Sequence, residues 1–256
     1  MILRRIVLIV VAATVGALLA GCTDDSKTPV TATASPRATV TAGPGAYLDD
    51  DVPFITIDQQ PQGAKVNVPF EISGTADVFE AVLSVAVSSA SGTLCERTVQ
   101  ATSGRGTRGT WTATMAFVPP AQAETVTIRA FSRSPKDGAE INVVTRSLQL
   151  APDVPDIAIT QPRCAADVPG GASLAVSGSA RVFEAALTVE LRAASGAVLA
   201  ARQVTADAGA PAIGNWTTQF DLDGIAAGAY ELVAYNLSAR DGTPEHVFSI
   251  PIRITV

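Results

Sequence analysis

Apolar and polar side chains alternate strictly from Leu187 to Arg192, with Leu187, Val189 and Leu191 on one parity and Thr188, Glu190 and Arg192 on the other. A period of two is that of a strand with one buried face. The same rhythm sets Trp216, Phe220 and Leu222 against Thr217, Gln219 and Asp221, and Leu83, Val85 and Val87 against Ser84, Ala86 and Ser88. Turn signals separate such runs: Ser-Gly at 91 and 195, and Asp-Gly at 137 and 241, the latter suited to hairpins that need positive φ. Parity puts Trp111 and Trp216 in a core. Phe131 and Tyr235 fall on the parity opposite to Ile128 and Leu232, so they read either as exposed aromatics or as inner-face residues after a bulge.

The rhythm repeats at long range. Ser73-Gly-Thr-Ala-Asp-Val-Phe-Glu-Ala81 returns as Ser177-Gly-Ser-Ala-Arg-Val-Phe-Glu-Ala185, with only the third and fifth positions changed. Gly109-Thr-Trp111-Thr returns as Gly214-Asn-Trp216-Thr, and Ser134-Pro-Lys-Asp-Gly138 as Ser238-Ala-Arg-Asp-Gly242. Matches in this order predict two copies of one domain, at 52–151 and 152–256, joined near Ala151 to Asp156 where Pro152 and Pro155 restrict the chain. About seven strands per copy and no helical period predict an all-β fold of two tandem immunoglobulin-like antiparallel sandwiches. Neither copy has two cysteines to bridge its own sheets, so the antibody variety is excluded.

These repeated runs resemble the immunoglobulin-like domain of bacterial spore germination, a family often found beside a GerM-type sporulation domain in exported proteins. The resemblance covers nearly all of 54–150 and 156–256 and rests on the Ser-Gly-x-Ala-x-Val-Phe-Glu-Ala run, the Ser-Gly turn, the Gly-x-Trp strand and the late Asp-Gly turn. It implies a sandwich fold and an extracytoplasmic setting, and it carries no catalytic residues. No GerM-type domain is recognisable in these 256 residues.

The chain's start changes the picture. Arg4 and Arg5, an apolar core from Ile6 to Leu19, and then Leu19-Ala20-Gly21-Cys22 read as a lipoprotein signal over 1–21, with Cys22 as the residue that receives lipid. The apolar core is shorter than the roughly 20 residues that span a bilayer. Residues 22–51, rich in Thr, Ala, Ser and Pro, read as a disordered tether with a reach on the order of 30 Å. The expected address is the extracytoplasmic face of a cell membrane, reached through lipid on Cys22. Loss of Arg4 and Arg5 would leave 16 basic against 24 acidic residues, a net charge of −8 against −6 for the whole chain. Such a balance argues against nucleic acid as a partner.

Candidate chemistry is sparse. His246 is the only histidine, no phosphate-binding glycine loop or nucleophile elbow occurs, and the expectation is a non-enzymatic protein without a cofactor, metal site or catalytic residue. Asp49 to Asp51 and Asp221 with Asp223 lack the spacing of a calcium loop. Once Cys22 is lipidated, Cys95 and Cys164 remain, either as a disulfide across the domain boundary or as separate thiols. Glu80 and Glu184 are either ligand contacts or, in the reading adopted, carboxylates that cap backbone N–H groups while Phe79 and Phe183 fill the core. Arg105 and Arg108 sit in the loop Gly104-Arg-Gly-Thr-Arg-Gly109 and, with Phe131 and Tyr235, are the candidate ligand contacts. The function expected is a structural or protein-interaction module of the envelope; the alternative is a binder of cell-wall polysaccharide or peptidoglycan. Replacing Cys22 with Ser is expected to move the protein from the membrane fraction to the soluble fraction without unfolding either domain, as fractionation with lipid labelling would show.

Overall fold

The computed structural model describes residues 52–256, so Cys22, the signal region and the tether lie outside the described residues. Among the described residues no helix is long and apolar enough to cross a membrane.

The first sandwich contains β1 (Lys65–Val66), β2 (Phe70–Ala76), β3 (Val82–Ser89), β4 (Gly92–Gln100), β5 (Gly109–Met115), β6 (Glu124–Arg133) and β7 (Glu140–Leu150). One sheet has the order β1-β7-β6-β3-β4 and the other pairs β2 with β5. Ahead of β1, Ile55 makes a single antiparallel bridge to Ala76. The second sandwich contains β8 (Ile157–Gln161), β9 (Ala166–Pro169), β10 (Ser173–Ala180), β11 (Ala186–Ala193), β12 (Val198–Thr205), β13 (Gly214–Asp221), β14 (Gly228–Leu237) and β15 (Pro244–Thr255). Its sheets have the orders β12-β11-β14-β15-β9 and β13-β10-β8. The second copy thus has eight strands, because β8 forms a full edge where the first copy makes only the Ile55 bridge. In both copies the last strand pairs antiparallel with its neighbour and parallel with a short early strand, β1 on β7 and β9 on β15.

Period two is kept in β2, β5 and β10, where inward residues alternate with more exposed ones. Leu83, Val85 and Val87 share the inner face of their sheet with Val126, Ile128 and Leu148, and Leu187, Val189 and Leu191 share theirs with Leu232, Phe248 and Ile250, all nearly inaccessible; the opposite parity of these two strands, Ser84 and Ala86 or Thr188 and Glu190, is buried as well. Trp111 and Trp216 are both 2 % exposed, and the Trp111 indole N–H donates to the carbonyl of Thr75 at 3.1 Å. The glycine of each Ser-Gly-x-Ala run lets the neighbouring chain pass this close. A Cβ on Gly74 would overlap the Thr56 carbonyl oxygen, and one on Gly178 would overlap the Ala158 carbonyl oxygen and crowd the Trp216 ring. The Asp-Gly hairpins hold Gly138 at φ 73° and Gly242 at φ 72°. Their carboxylates are drawn below the usual range, Asp137 first by the Ser134 hydroxyl and Asp241 first by that of Thr243.

The two sandwiches meet along β4. Cys95 on β4 is joined by a disulfide to Cys164, in the turn between β8 and β9, with Cα atoms 5.1 Å apart. Two residues further on, Arg97 pairs with Glu231 of β14 and donates to the Ser249 carbonyl of β15 at 2.9 Å. At the joint, the Asp156 carboxylate accepts from Arg181 at 2.9 and 3.0 Å and lies 3.3 Å from the His246 ring. The joint contacts lie within the second copy, and the Cys95 bridge and Arg97 link it to the first.

Replacing Gly178 with Ala is expected to lower stability by about 3 kcal/mol, since backbone as well as side chain must shift to admit the new carbon. Thr217→Ala, on the exposed face of β13, should change it by less than about 0.5 kcal/mol. Thermal melts of the two variants beside the parent chain check the pair.

Candidate functional site

The Val-Phe-Glu-Ala run closes each inner-sheet strand with a turn rather than a continuation. β2 carries Phe70, Ile72, Gly74 and Ala76 inward, and the same parity brings Val78 into the core at 2 % exposure; Val182 follows β10 in the same way at 3 %. Glu80 and Ala81 then adopt φ of 54° and 59°, and Glu184 and Ala185 adopt 57° and 56°. Two successive non-glycine residues in the left-handed region cost about 1–2 kcal/mol each, so surrounding contacts must impose the shape. They are visible in the backbone. The Ala81 N–H donates to the Val78 carbonyl at 3.2 Å and the Ala81 carbonyl accepts from Ala101 at 2.8 Å, with the same pair at Ala185, Val182 and Ala206 in the second copy. Gly104 and Gly209 lie against the turns, where a Cβ would approach the Ala81 or Ala185 nitrogen to 3.1 or 3.0 Å.

This geometry corrects the expected roles of the motif. Phe79 and Phe183 do not fill the core; they are 63 % and 74 % exposed, because the left-handed turn points them outward while the valines take the inner positions. Among the described residues Glu80 and Glu184 cap no backbone donor. In the first copy that part is taken by Asp77, 3 % exposed, whose carboxylate accepts from the Gly106 N–H at 2.7 Å. The second copy has Arg181 in that place, turned instead to Asp156.

A groove of about 830 Å³ runs beside the first turn, lined among others by Phe54, Phe79, Val82, Ile141, Arg105 and Arg133. The four apolar residues are each 39 % exposed or more, an unusual concentration on one side of a small sandwich. Arg105 is exposed and makes no hydrogen bond or ion pair among the described residues, as is true of Glu80. The groove thus offers apolar surface with one uncommitted cation and one uncommitted anion.

The other candidate contacts are placed differently from the sequence reading. Phe131 is fully buried and is no ligand contact. A bulge between Ala130 and Ser132 sets it opposite Ser84 on the outer face of the sheet, where Arg129 and Arg133 cover its ring at 5.8 and 5.1 Å. Those guanidiniums are held in turn by Glu140 at 3.2 Å and Glu96 at 2.7 Å. Tyr235 sits at the matching bulge of β14, half-buried, with its hydroxyl donating to Glu190 at 2.9 Å. Burial, and then the Glu190 carboxylate, push its phenol above the ordinary tyrosine range. Arg108 is a brace rather than a free tip: it donates to the Thr75 hydroxyl at 3.1 Å and the Pro53 carbonyl at 2.8 Å. Of the four, only Arg105 reaches the groove as a free group. The residues that sequence reasoning missed are Phe79 and Phe183, and the inward parity of Ala76-Val78 and Ala180-Val182 is the signal that marks them as outward.

The family whose model matches the chain is described as the immunoglobulin-like domain of bacterial spore germination, over residues 54–139 and 156–243. No curated protein matches the chain. Among solved structures, the fibronectin(III)-like modules of Clostridium thermocellum CbhA are 16 % identical, with 78 % of this chain and 94 % of that one covered and a TM-score of 0.26. An ICAM-5 D1–D4 ectodomain fragment is 18 % identical, with 78 % of this chain and 53 % of that one covered and a TM-score of 0.27, so this chain spans about half of that fragment. A titin A168169 structure is 13 % identical, covered to 79 % and 99 %, with a TM-score of 0.24.

Removing the Phe131 ring is expected to cost about 3–5 kcal/mol, as for other buried aromatics, because it leaves a void beneath two arginines. Phe79→Ala should stay within about 0.5 kcal/mol, as befits an exposed side chain. Urea unfolding of the two single variants tells the buried ring from the exposed one.

Proposed function

The chain belongs to the family of immunoglobulin-like domains of bacterial spore germination, and we propose from that premise that it is a non-enzymatic interaction module held on the extracytoplasmic face of a membrane by lipid on Cys22. Its partner in this reading is another envelope protein, docked at the groove beside Phe79. The observation that carries the reading is the outward Phe79 on a constrained turn, next to apolar groove walls and the uncommitted Arg105 and Glu80. An exposed aromatic on a fixed backbone loses little conformational freedom on binding, which suits it to anchor an interface. The strain at Glu80 and Ala81 supports this, since left-handed non-glycine residues persist where the surroundings over-determine them.

The wall-polysaccharide alternative needs Phe131 or Tyr235 as an exposed aromatic contact. Phe131 is covered by two guanidiniums and the Tyr235 hydroxyl is engaged by Glu190, so neither ring supports it.

The test compares the parent chain with Phe79→Ser and Arg105→Glu in two assays: retention of envelope proteins on the immobilised chain, and co-sedimentation with purified peptidoglycan. The proposal expects one defined envelope protein to be retained by the parent and lost with either variant, and no co-sedimentation. Co-sedimentation that is equal for all three chains, with no retained protein sensitive to Phe79, would overturn it in favour of the wall polymer.

A further inference from the structure

The groove beside Phe79 is not built by the first copy alone. Together with Glu96 and Thr98 of β4 and Arg133 of β6, it is lined by Arg253 of β15, in the second copy. Period two puts that side chain there. Phe248, Ile250, Ile252 and Ile254 are buried, so Ser249, Pro251 and Arg253 share the outer face of their sheet. The β4 edge lies against the same face, because Arg97 donates to the Ser249 carbonyl at 2.9 Å and pairs with Glu231, which stands opposite Pro251. Asp167 of β9 holds the Arg253 guanidinium through two contacts, at 2.7 and 3.0 Å. One wall of the groove is thus carried on the second sandwich.

Little keeps that wall in place. Among the described residues, the hydrogen bonds and ion pairs that cross between the copies all come from Arg97, and the Cys95–Cys164 bridge is the one covalent cross-link. Beside the bridge a cavity of about 420 Å³ separates Leu94 and Val118 of the first copy from Ile159 and Gln161 of the second. At the joint another, of about 610 Å³, lies between Val68 and Pro69 on one side and Val154 and His246 on the other. Domains that share so little packed surface move relative to each other by default. Cys95 is the neighbour of Glu96, so the bridge clamps the copies at the edge of the groove itself.

We propose that the docking groove is a site shared by both copies, and that the Cys95–Cys164 bridge sets its width by holding Arg253 against the β4 edge. This rests on the groove being a docking surface, as proposed above. The occupant is the same envelope protein, presenting apolar side chains to Phe79 and an acid to Arg105. With the bridge open, the segment from Ala151 to Asp156 lets the second wall swing away, and the partner binds only the fraction of molecules in which the groove is complete.

The experiment uses the full chain with Cys22→Ser, which leaves Cys95 and Cys164 as its only cysteines. Spin labels on ketone side chains introduced in place of Arg105 and Arg253 report the distance across the groove by pulsed electron spin resonance. Three forms are compared: bridged, reduced with dithiothreitol, and Cys95→Ala with Cys164→Ala. Alanine suits β4, since Ala200 occupies the corresponding place on β12. A narrow distance distribution is expected for the bridged chain and a broad one for the other two, with both sandwiches still folded by circular dichroism. The reduced form decides the matter should the double variant lose its fold. In the envelope-protein retention assay, unlabelled chain without the bridge should bind about tenfold more weakly or less, and Arg253→Ala should lose retention with the bridge intact. The same narrow distribution in all three forms overturns the proposal. So does retention that Phe79→Ser abolishes while removal of the bridge and Arg253→Ala leave it unchanged, which would confine the site to the first copy. If the bridged chain retains no protein, the docking role fails, and the distance distributions still decide whether the bridge sets the groove.

Discussion

The close pass of one chain over a glycine, with a tryptophan beneath it, is the constraint on which both sandwiches depend. Gly74 and Gly178 lie where any side chain would overlap a carbonyl of the neighbouring segment, and Trp111 and Trp216 fill the space that remains. Inward parity fixed there runs on through Ala76 to Val78 and through Ala180 to Val182. The next residue in each copy therefore falls outside, and the left-handed turn at Glu-Ala completes the reversal. A packing requirement in the core thus ends as an aromatic side chain presented to solvent.

The duplication did not yield two equivalent domains. The first copy keeps Asp77, which ties down the loop bearing Arg105, and it has the groove beside Phe79. In the second copy Arg181 replaces that acid and turns to the joint, where Asp156 also meets His246. The β4 edge is committed to the neighbouring sandwich through the Cys95 bridge and the Arg97 contacts, while the β12 edge is open. A disulfide closing a loop of this length, 69 residues apart in sequence, stabilises by about 4 kcal/mol in the chain-entropy picture. It acts together with the two-proline joint to limit how the copies can move.

Much of the fold was legible because burial imposes period two and because a repeat shows the same solution twice. The strand around Trp216 follows its alternation, while those around Leu83 and Leu187 keep the inward parity but are buried on the other face too, and the Asp-Gly hairpins take the positive φ that glycine allows. Three features of the site were not legible, each for a physical reason. Phe79 and Phe183 were assigned to the core because a large aromatic beside a strand usually belongs there, and the two-residue left-handed turn has no glycine to announce it. Phe131 could not be placed by parity across a bulge, and its burial comes from arginine stems and guanidiniums that composition counts as surface. Arg108 looked equivalent to Arg105 in the loop, but only contacts with Thr75 and Pro53, distant in sequence, separate brace from free group.

The central claim is the inversion at the turn, valine in and phenylalanine out, since both the groove and the proposed role follow from it. Fluorine NMR of the chain labelled with fluorophenylalanine, with resonances assigned by single Phe→Leu substitutions, tests it most directly. The account predicts a solvent isotope shift and broadening by a soluble paramagnet for the resonances of residues 79 and 183, and neither for residue 131. A shielded resonance at position 79, with residue 131 open to solvent, would contradict it.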